Sequence, residues 1–284
     1  MAPRRALCAV QNASIETLAW GTPGRPGVLL MHGNSAHADW YSYIAPLLAK
    51  DYFVVALSFS GMGGSSWRAH YSVAQWADEA IAVAEVSGLF DYPVKPVFVG
   101  HSFGGFPVMN VTSRFGERLR LAVIADTPIR TREERGQRLD ERPRLEFKPH
   151  RIYASPEEAI ARFRLLPAQA CSNLYILDHI ARTSLRPTSP EGGNGSGWTW
   201  KFDPGLFQSF KMGKPGADLL RSRCPVAWLN GARSGLIDDK VRANIQTYSP
   251  PGTEVLEVPD ADHHLMIDQP LAFNEALRGL LSRY

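Results

Sequence analysis

Short apolar runs recur along the chain, and glycine, proline or small polar residues bound most of them. They show little polar alternation, which is typical of strands that are buried on both faces of a sheet. Six runs are therefore predicted as strands: Gly27 to Met31, Phe53 to Leu57, Val94 to Val99, Leu121 to Ala125, Val226 to Leu229 and Glu254 to Val258. The segments Leu7 to Val10 and Ser14 to Trp20 precede them and predict a hairpin that turns at Gln11 and Asn12.

Helical patterns separate most of these runs. They cover Trp40 to Ala49, Val73 to Gly88, Phe103 to Phe115, Lys240 to Tyr248 and Leu271 to Leu281. Because strand and helix alternate, the sequence predicts an α/β fold with a mostly parallel central sheet and helices on both of its faces.

The alternation stops between residues 131 and 214, where no strand is predicted. A charged segment, Thr131 to Lys148, comes first, and helices are predicted at Pro156 to Leu166 and Leu174 to Thr183. A glycine-rich loop, Gly192 to Gly197, precedes an aromatic group made of Trp198, Trp200, Phe202, Phe207 and Phe210. The sequence thus predicts a core formed by residues 1–130 and 215–284, with residues 131–214 inserted as a helical cap.

The composition indicates which kind of binding partner and which cellular compartment to expect. The 284 residues carry a formal net charge of only +3, and no basic run is interleaved with aromatic residues, which argues against nucleic acid as a partner. The three cysteines have an odd count and no metal-ligand spacing, as expected for reduced thiols in a cytoplasmic protein. We find no apolar stretch suited to a signal peptide or to membrane insertion, so the expected partner is a small molecule. The oligomeric state is not predicted.

The pentapeptide Gly100-His101-Ser102-Phe103-Gly104 carries the most specific chemical signal. It lies between a predicted strand and a predicted helix, which is the context of a nucleophile elbow. Such a turn strains the backbone of the serine so that its hydroxyl projects above the sheet edge, and glycines leave room for strand and helix to pass closely. Ser102 is therefore the predicted nucleophile.

A serine hydroxyl needs a base to remove its proton. His263 and His264 lie in the loop between the last predicted strand and the last helix, at the same sheet edge as Ser102. Since adjacent side chains cannot both face the site, we predict His263 as the base and His264 as a packing residue.

Two backbone N–H groups are predicted to form an oxyanion hole, which stabilises the negative charge that develops on the reacting oxygen. One belongs to Phe103, and the other to Asn34 in the loop His32-Gly33-Asn34 that follows the strand Gly27 to Met31. His32 is predicted to hold this loop by hydrogen bonds and not to take part in the chemistry.

The acid that orients His263 has two candidates. The loop after the strand Val226 to Leu229 is the usual place, but Ser234 stands where an acid would be expected. Asp238 follows later in that loop, in a position that also suits a helix N-cap. Asp126 ends the strand Leu121 to Ala125 and is the preferred candidate, although an Asx turn before Pro128 would also explain it.

These motifs together resemble the α/β-hydrolase superfamily over nearly the whole chain apart from the predicted cap. The turn Ser60-Gly61-Met62-Gly63-Gly64-Ser65 and the segment Asp268-Gln269-Pro270 are similar to the family's patterns as well. Some subfamilies carry the acid after the strand that follows the nucleophile helix, and the resemblance maps that position to Asp126.

The resemblance implies a cytoplasmic serine hydrolase that cleaves a carboxylic ester, lactone or similar small acyl substrate through an acyl-enzyme, without cofactor or metal. A serine at the nucleophile position argues against the epoxide hydrolases and haloalkane dehalogenases of the family, which use Asp there. Two alternatives stay open. One is carbon–carbon bond hydrolysis of a diketone-like substrate, with Arg162, Arg164 or Arg233 holding a substrate carboxylate. The other is a non-enzymatic small-ligand receptor on the same fold.

Overall fold

A computed structural model describes residues 1–131, 133–134, 136, 149–188, 197–208 and 210–284. Most of the charged segment Thr131 to Lys148 and of the glycine-rich loop Gly192 to Gly197 lies outside these ranges. No helix in the described ranges is both long enough and apolar enough to cross a membrane.

Eight strands form the central sheet in the order β1-β2-β4-β3-β5-β6-β9-β10. The pairs β1–β2 and β2–β4 are antiparallel, and every other neighbouring pair is parallel. The predicted α/β class with a mostly parallel sheet is therefore confirmed. The strands are β1 (Arg4–Val10), β2 (Ala13–Trp20), β3 (Gly27–Met31), β4 (Phe53–Leu57), β5 (Val97–His101), β6 (Leu121–Ala125), β9 (Val226–Gly231) and β10 (Glu254–Val258).

Helices cover both faces of this sheet. Alternate residues of the parallel strands face opposite ways, so that Leu29 belongs to one apolar core and Leu30 to the other. The first core includes side chains of α2 (Val73–Val86), α3 (Gly105–Phe115), α6 (Pro215–Leu220) and α7 (Asp239–Tyr248). The second core includes side chains of α1 (Ala45–Leu48), α5 (Leu174–Thr183), α8 (Leu265–Asp268) and α9 (Pro270–Arg283).

Several core elements differ from their predicted bounds by a few residues, and proline explains two of the differences. The predicted strand Val94 to Val99 is Val97–His101, because Pro96 has no N–H to give to a ladder. The predicted helix Trp40 to Ala49 is a 3₁₀ turn, Ala38–Tyr41, followed by α1, in which Pro46 takes the second helical position.

The segment between β6 and α6 contains strands that the sequence did not predict. β7 (Leu185–Thr188) and β8 (Gly197–Trp200) form an antiparallel pair, so the expectation that residues 131–214 contain no strand was wrong. Each strand has only four residues, too few for polar alternation to stand out. The predicted helix Pro156 to Leu166 is shorter, α4 (Pro156–Ile160), because Phe163 and Leu165 turn inward to pack against the second core.

We call the described residues 149–188 and 197–214 the insert. It has a small apolar core of its own, in which Tyr153, Ala159 and Leu185 pack with Trp198 and Trp200. Helix α5 also joins it to the second core of the sheet. That the insert acts as a lid subdomain remains a prediction.

Candidate active site

Ser102 occupies a sharp turn directly after β5. Its φ is 52°, a left-handed value that non-glycine residues rarely adopt. A Cβ at Gly104 would lie 2.5 Å from the carbonyl oxygens of Met31 and His32, and one at Gly100 would meet the backbone of Gly104. Glycine is thus required where strand, turn and helix pass one another. The Ser102 carbonyl accepts a hydrogen bond from the Thr127 hydroxyl at 2.8 Å, which ties the turn to the end of β6.

His263 reaches Ser102 from the loop between β10 and α8. Its Nε2 lies 2.8 Å from the Ser102 hydroxyl oxygen, and the histidine is only 3% exposed. The main-chain oxygen of His263 accepts a hydrogen bond of 3.0 Å from Nε2 of His101. His101, the residue before the serine, therefore helps to fix the loop that carries His263.

Asp126 lies on the other side of the imidazole and is fully buried. Its Oδ2 is 2.7 Å from Nδ1 of His263 and accepts a second hydrogen bond of 2.6 Å from the Ser234 hydroxyl. The backbone N–H of Gly231 donates to Oδ1 at 2.8 Å. The structure thus brings Ser102, His263 and Asp126 into one hydrogen-bonded chain, with Asp126 itself at a strained φ of 46°.

Asp238 lies outside this chain of hydrogen bonds. Its carboxylate caps α7 by accepting from the N–H of Val241 at 3.0 Å, and it pairs with the guanidinium of Arg130 at 2.6 Å. This is the helix-capping alternative that the sequence offered for Asp238.

Ser234 is a residue whose contribution the sequence reasoning missed. The sequence marks it only as a position after β9 that lacks an acid, yet its hydroxyl donates to the acid that follows β6. The signal was present in the sequence: a small hydroxyl residue at that point can face a carboxylate supplied by the neighbouring strand.

The two predicted oxyanion donors lie at the same edge of the sheet. Phe103 is the second residue of a 3₁₀ turn, Ser102–Gly104, where N–H groups have no acceptor within the helix. A Cβ at Gly33 would come within 3.1 Å of the Ser102 Cβ, so the loop that carries Asn34 passes directly beside the nucleophile.

His32 holds this loop, as predicted. Its Nδ1 lies 2.7 Å from the Gly33 carbonyl oxygen, and its Nε2 accepts from the N–H of Phe59 at 3.0 Å. Burial lowers the pKa of His32 to about 3, so the ring is neutral near pH 7.

His264 turns away from the serine and packs against Trp40, with ring centroids 5.6 Å apart. Burial lowers its pKa to about 3 as well. Of the groups of His, Cys, Asp or Glu in the described ranges, His101, His263 and His264 come close enough to share a metal ion, with candidate atoms within 4.8 Å of one another. Since both ring nitrogens of His263 already bond to Ser102 and Asp126, a metal there would compete with those bonds.

The loop that carries His263 is fastened to the insert. The carboxylate of Asp268 accepts from the N–H of Asp262 and from the side-chain amide of Gln169, each at 2.8 Å. The carbonyl of the same Gln169 side chain accepts from the N–H of His264 at 2.9 Å. Gln169 therefore bonds directly to the residue after His263 and, through the Asp268 carboxylate, is linked to the residue before it.

The aromatic residues at the end of the insert separate into two groups. Phe207 and Phe210 pack edge-on against Phe103, with ring centroids 5.5 and 5.2 Å away, and so cover the elbow. Trp200 and Phe202 instead line a cavity of about 230 Å³ that also touches Asn34.

The three candidate arginines lie in different surroundings. Arg162 and Arg164 line this same cavity. Arg233 lies elsewhere, on the loop after β9, where it pairs with Asp260 at 3.5 Å. A second cavity, of about 220 Å³, reaches His263 between Gln169 and Leu236.

Comparison with known proteins gives the same picture of the fold. The chain is 32% identical over 123 residues to a serine hydrolase-like protein of Homo sapiens, a match that covers 43% of this chain and 59% of that protein. It is 25% identical over 285 residues to an esterase of Mycobacterium tuberculosis, covering 96% and 88% of the two chains.

Solved structures agree in architecture. A thioesterase domain from the curacin biosynthetic pathway superposes with a TM-score of 0.78 at 20% identity, covering 98% of this chain and all of that domain. The structure of the Mycobacterium tuberculosis esterase gives a TM-score of 0.72 at 19% identity and covers 99% and 92% of the two chains. A sequence profile matches residues 28–276, from β3 to the last helix. The chain thus belongs to the alpha/beta hydrolase family and has its fold.

Proposed function

We propose that this protein is a serine hydrolase that cleaves a carboxylic ester, or a similar small acyl compound, through an acyl-enzyme. The observation that carries the proposal is the chain of hydrogen bonds from Ser102 through His263 to Asp126, at 2.8 and 2.7 Å. A hydroxyl, an imidazole and a buried carboxylate in this order are the parts that nucleophilic acyl transfer needs.

The first half-reaction forms the acyl-enzyme. The Ser102 oxygen attacks the carbonyl carbon while Nε2 of His263 takes the hydroxyl proton, and Asp126 stabilises the imidazolium through Nδ1. The N–H groups of Phe103 and Asn34 donate to the oxyanion. The tetrahedral intermediate then collapses, the bond to the alcohol breaks, and the alcohol leaves with the proton from His263.

The second half-reaction releases the acid. A water molecule gives a proton to His263 and attacks the acyl carbon, and the bond to Ser102 breaks as the proton returns to the serine oxygen. The cavity between Gln169 and Leu236 reaches His263 and offers a route for this water.

The relatives support acyl chemistry of this kind. The similar protein of Mycobacterium tuberculosis is named an esterase, and the similar domain of the curacin pathway is named a thioesterase. A third relative, from Chromobacterium violaceum, is named a pimeloyl-[acyl-carrier protein] methyl ester esterase. The substrate types in these names are candidates for this protein, so the first test includes both oxygen esters and thioesters.

The test combines a serine-directed phosphonate probe with a panel of chromogenic esters and thioesters of increasing acyl length. We expect the probe to label Ser102 and the panel to show many turnovers per protein molecule. The variant Ser102→Ala should lose both labelling and turnover. The control variant Ser113→Ala changes a serine of helix α3 and should keep both. A single slow event per molecule would indicate the receptor alternative, and full turnover by Ser102→Ala would refute the assignment.

A further inference from the structure

The cavity that touches Asn34 has a largely aromatic lining, which includes Trp40, Phe163, Trp200 and Phe202. Asn34, the predicted oxyanion donor, and Ser35 also belong to the lining, whereas Ser102 and His263 do not. The cavity therefore adjoins the site on the side of the oxyanion loop, where a part of the substrate remote from the reacting carbonyl can bind. The volume of about 230 Å³ has room for roughly eight groups of the size of a water molecule, at about 30 Å³ each.

Two cations border the cavity, and neither has a counter-ion among the residues that the structure describes. Arg162 and Arg164 are exposed residues of its lining. Within the described ranges, no carboxylate lies at ion-pairing distance from either guanidinium. Arg164 donates from Nη1 to the carbonyl oxygens of Ala161 and Phe163, at 3.0 and 2.6 Å, which orients the group without cancelling its charge.

Neighbouring arginines of the insert behave differently. Arg151 pairs with Glu158 at 3.3 Å, and Arg182 pairs with Asp178 at 2.7 Å. Acids of the insert thus neutralise these two side chains. Arg186 of the insert, like Arg162 and Arg164, has no carboxylate partner among the described residues, but its guanidinium lies over the Trp67 ring and away from the cavity lining.

We propose that the cavity selects an acyl substrate with a second, anionic end: a short apolar chain with a carboxylate that meets Arg162 and Arg164. This inference rests on the proposed hydrolase function and names its substrate class. Aromatic walls favour the apolar chain, and arginine is suited to carboxylates because its planar fork can donate two parallel hydrogen bonds. The carboxylate can belong to the acyl part, as in a half-ester of a dicarboxylic acid, or to the alcohol part.

The experiment compares substrates of matched length that differ in charge. Monomethyl adipate carries the carboxylate on the acyl part, 6-acetoxyhexanoate carries it on the alcohol part, and methyl hexanoate is neutral. We expect the wild type to favour one of the anionic esters in kcat/KM over methyl hexanoate, and the preferred one identifies the part that occupies the cavity. Added salt should reduce that preference, because it screens exposed charges.

Variants then test which side chains bind the substrate carboxylate. R162Q/R164Q should lose roughly tenfold in kcat/KM on the preferred anionic ester, mainly through KM, since exposed ion pairs contribute modestly. The same double variant should lose several times less kcat/KM on methyl hexanoate. The matched control R182Q removes one insert arginine that has a partner and should keep the wild-type preference.

Two outcomes overturn the inference: a wild type that favours methyl hexanoate over both anionic esters, or an equal loss on charged and neutral esters in R162Q/R164Q. Both leave the hydrolase proposal intact, because the neutral ester is still cleaved. If instead no ester is cleaved and the phosphonate probe does not label Ser102, the hydrolase proposal itself fails.

Discussion

Replacing Asp126 by Asn changes one atom of a fully buried side chain, and the surrounding donors make the result predictable. The N–H of Gly231 and the hydroxyl of Ser234 both donate to the present carboxylate, at 2.8 and 2.6 Å. An amide offers only one oxygen, so its NH₂ group must face either a donor or His263. With the NH₂ toward His263, Nδ1 becomes the acceptor and Nε2 carries the hydrogen, which leaves the ring unable to accept a proton from Ser102.

We therefore expect Asp126→Asn to lower kcat by about 10²- to 10⁴-fold, the upper value being the loss reported for an amide in another serine triad. The assay is steady-state hydrolysis of the best ester of the panel, together with a denaturant melt to check folding. Asp238→Asn is the matched control, because it alters the cap of α7 and its pair with Arg130. Asn is also a good N-cap, so this variant should cost only a few tenths to about 1 kcal/mol of stability and leave kcat near the wild-type value.

A relocation variant sharpens this test. The Ser234 oxygen lies 2.6 Å from Oδ2 of Asp126, so a carboxylate at position 234 can come close to His263. Asp126→Asn/Ser234→Asp should recover at least about tenfold in kcat over Asp126→Asn alone if charge beside the imidazole is what was lost. A severe kcat loss in Asp238→Asn with Asp126→Asn near wild type would refute the reasoning.

Three other outcomes follow from the geometry. Ser102→Ala should lower ester turnover by about 10³-fold or more while the denaturant midpoint changes little, and retention of a tenth of the activity would contradict its role. His263→Ala should lose nearly as much, and His264→Ala far less; the reverse ranking of the two rates would mean that the base is His264. Burial lowers the pKa of His32 and His264 from 6.5 to about 3, so the unfolded chain binds more protons below pH 6.5 and stability falls as the pH decreases. Each histidine should lower the free energy of unfolding by about 2 kcal/mol between pH 7.5 and pH 5. In denaturant melts of His264→Leu, the free energy of unfolding should therefore fall by about 2 kcal/mol less over this pH range than in the wild type.

Much of the fold could be predicted because the parallel strands are buried on both faces. Runs such as Phe53–Leu57 and Leu121–Ala125 are apolar at every position, and the structure gives them the same bounds as the sequence. The strands β7 and β8 could not be found in this way, since each has only four residues and lies outside the central sheet. Helix α4 ends early for a tertiary reason, the packing of Phe163 and Leu165, which no local pattern carries.

The candidate site also combines residues that the sequence predicts with contacts that it does not predict. Ser102 and the loop of Gly33 could be located from the sequence because backbone geometry demands glycine there and the strand order fixes the edge of the sheet. The hydrogen bonds from Ser234 to Asp126 and from Gln169 to Asp268 span 108 and 99 residues of sequence. Residue type can suggest a hydroxyl partner for the acid, but the contacts themselves depend on how separate loops meet, which no local pattern along the chain reveals.

The bonds made by Gln169 link the insert with the position of the base. Its side chain belongs to the insert but bonds to the Asp268 carboxylate and to the backbone N–H of His264, the residue directly after the imidazole that meets Ser102. Any displacement of the insert relative to the sheet would have to break these bonds or draw the loop of His263 along with it. The position of the proposed base is therefore tied to a residue that lies about 100 positions away in sequence and outside the triad. Substitutions in the insert can thus alter the alignment of His263 with Ser102 without touching either residue.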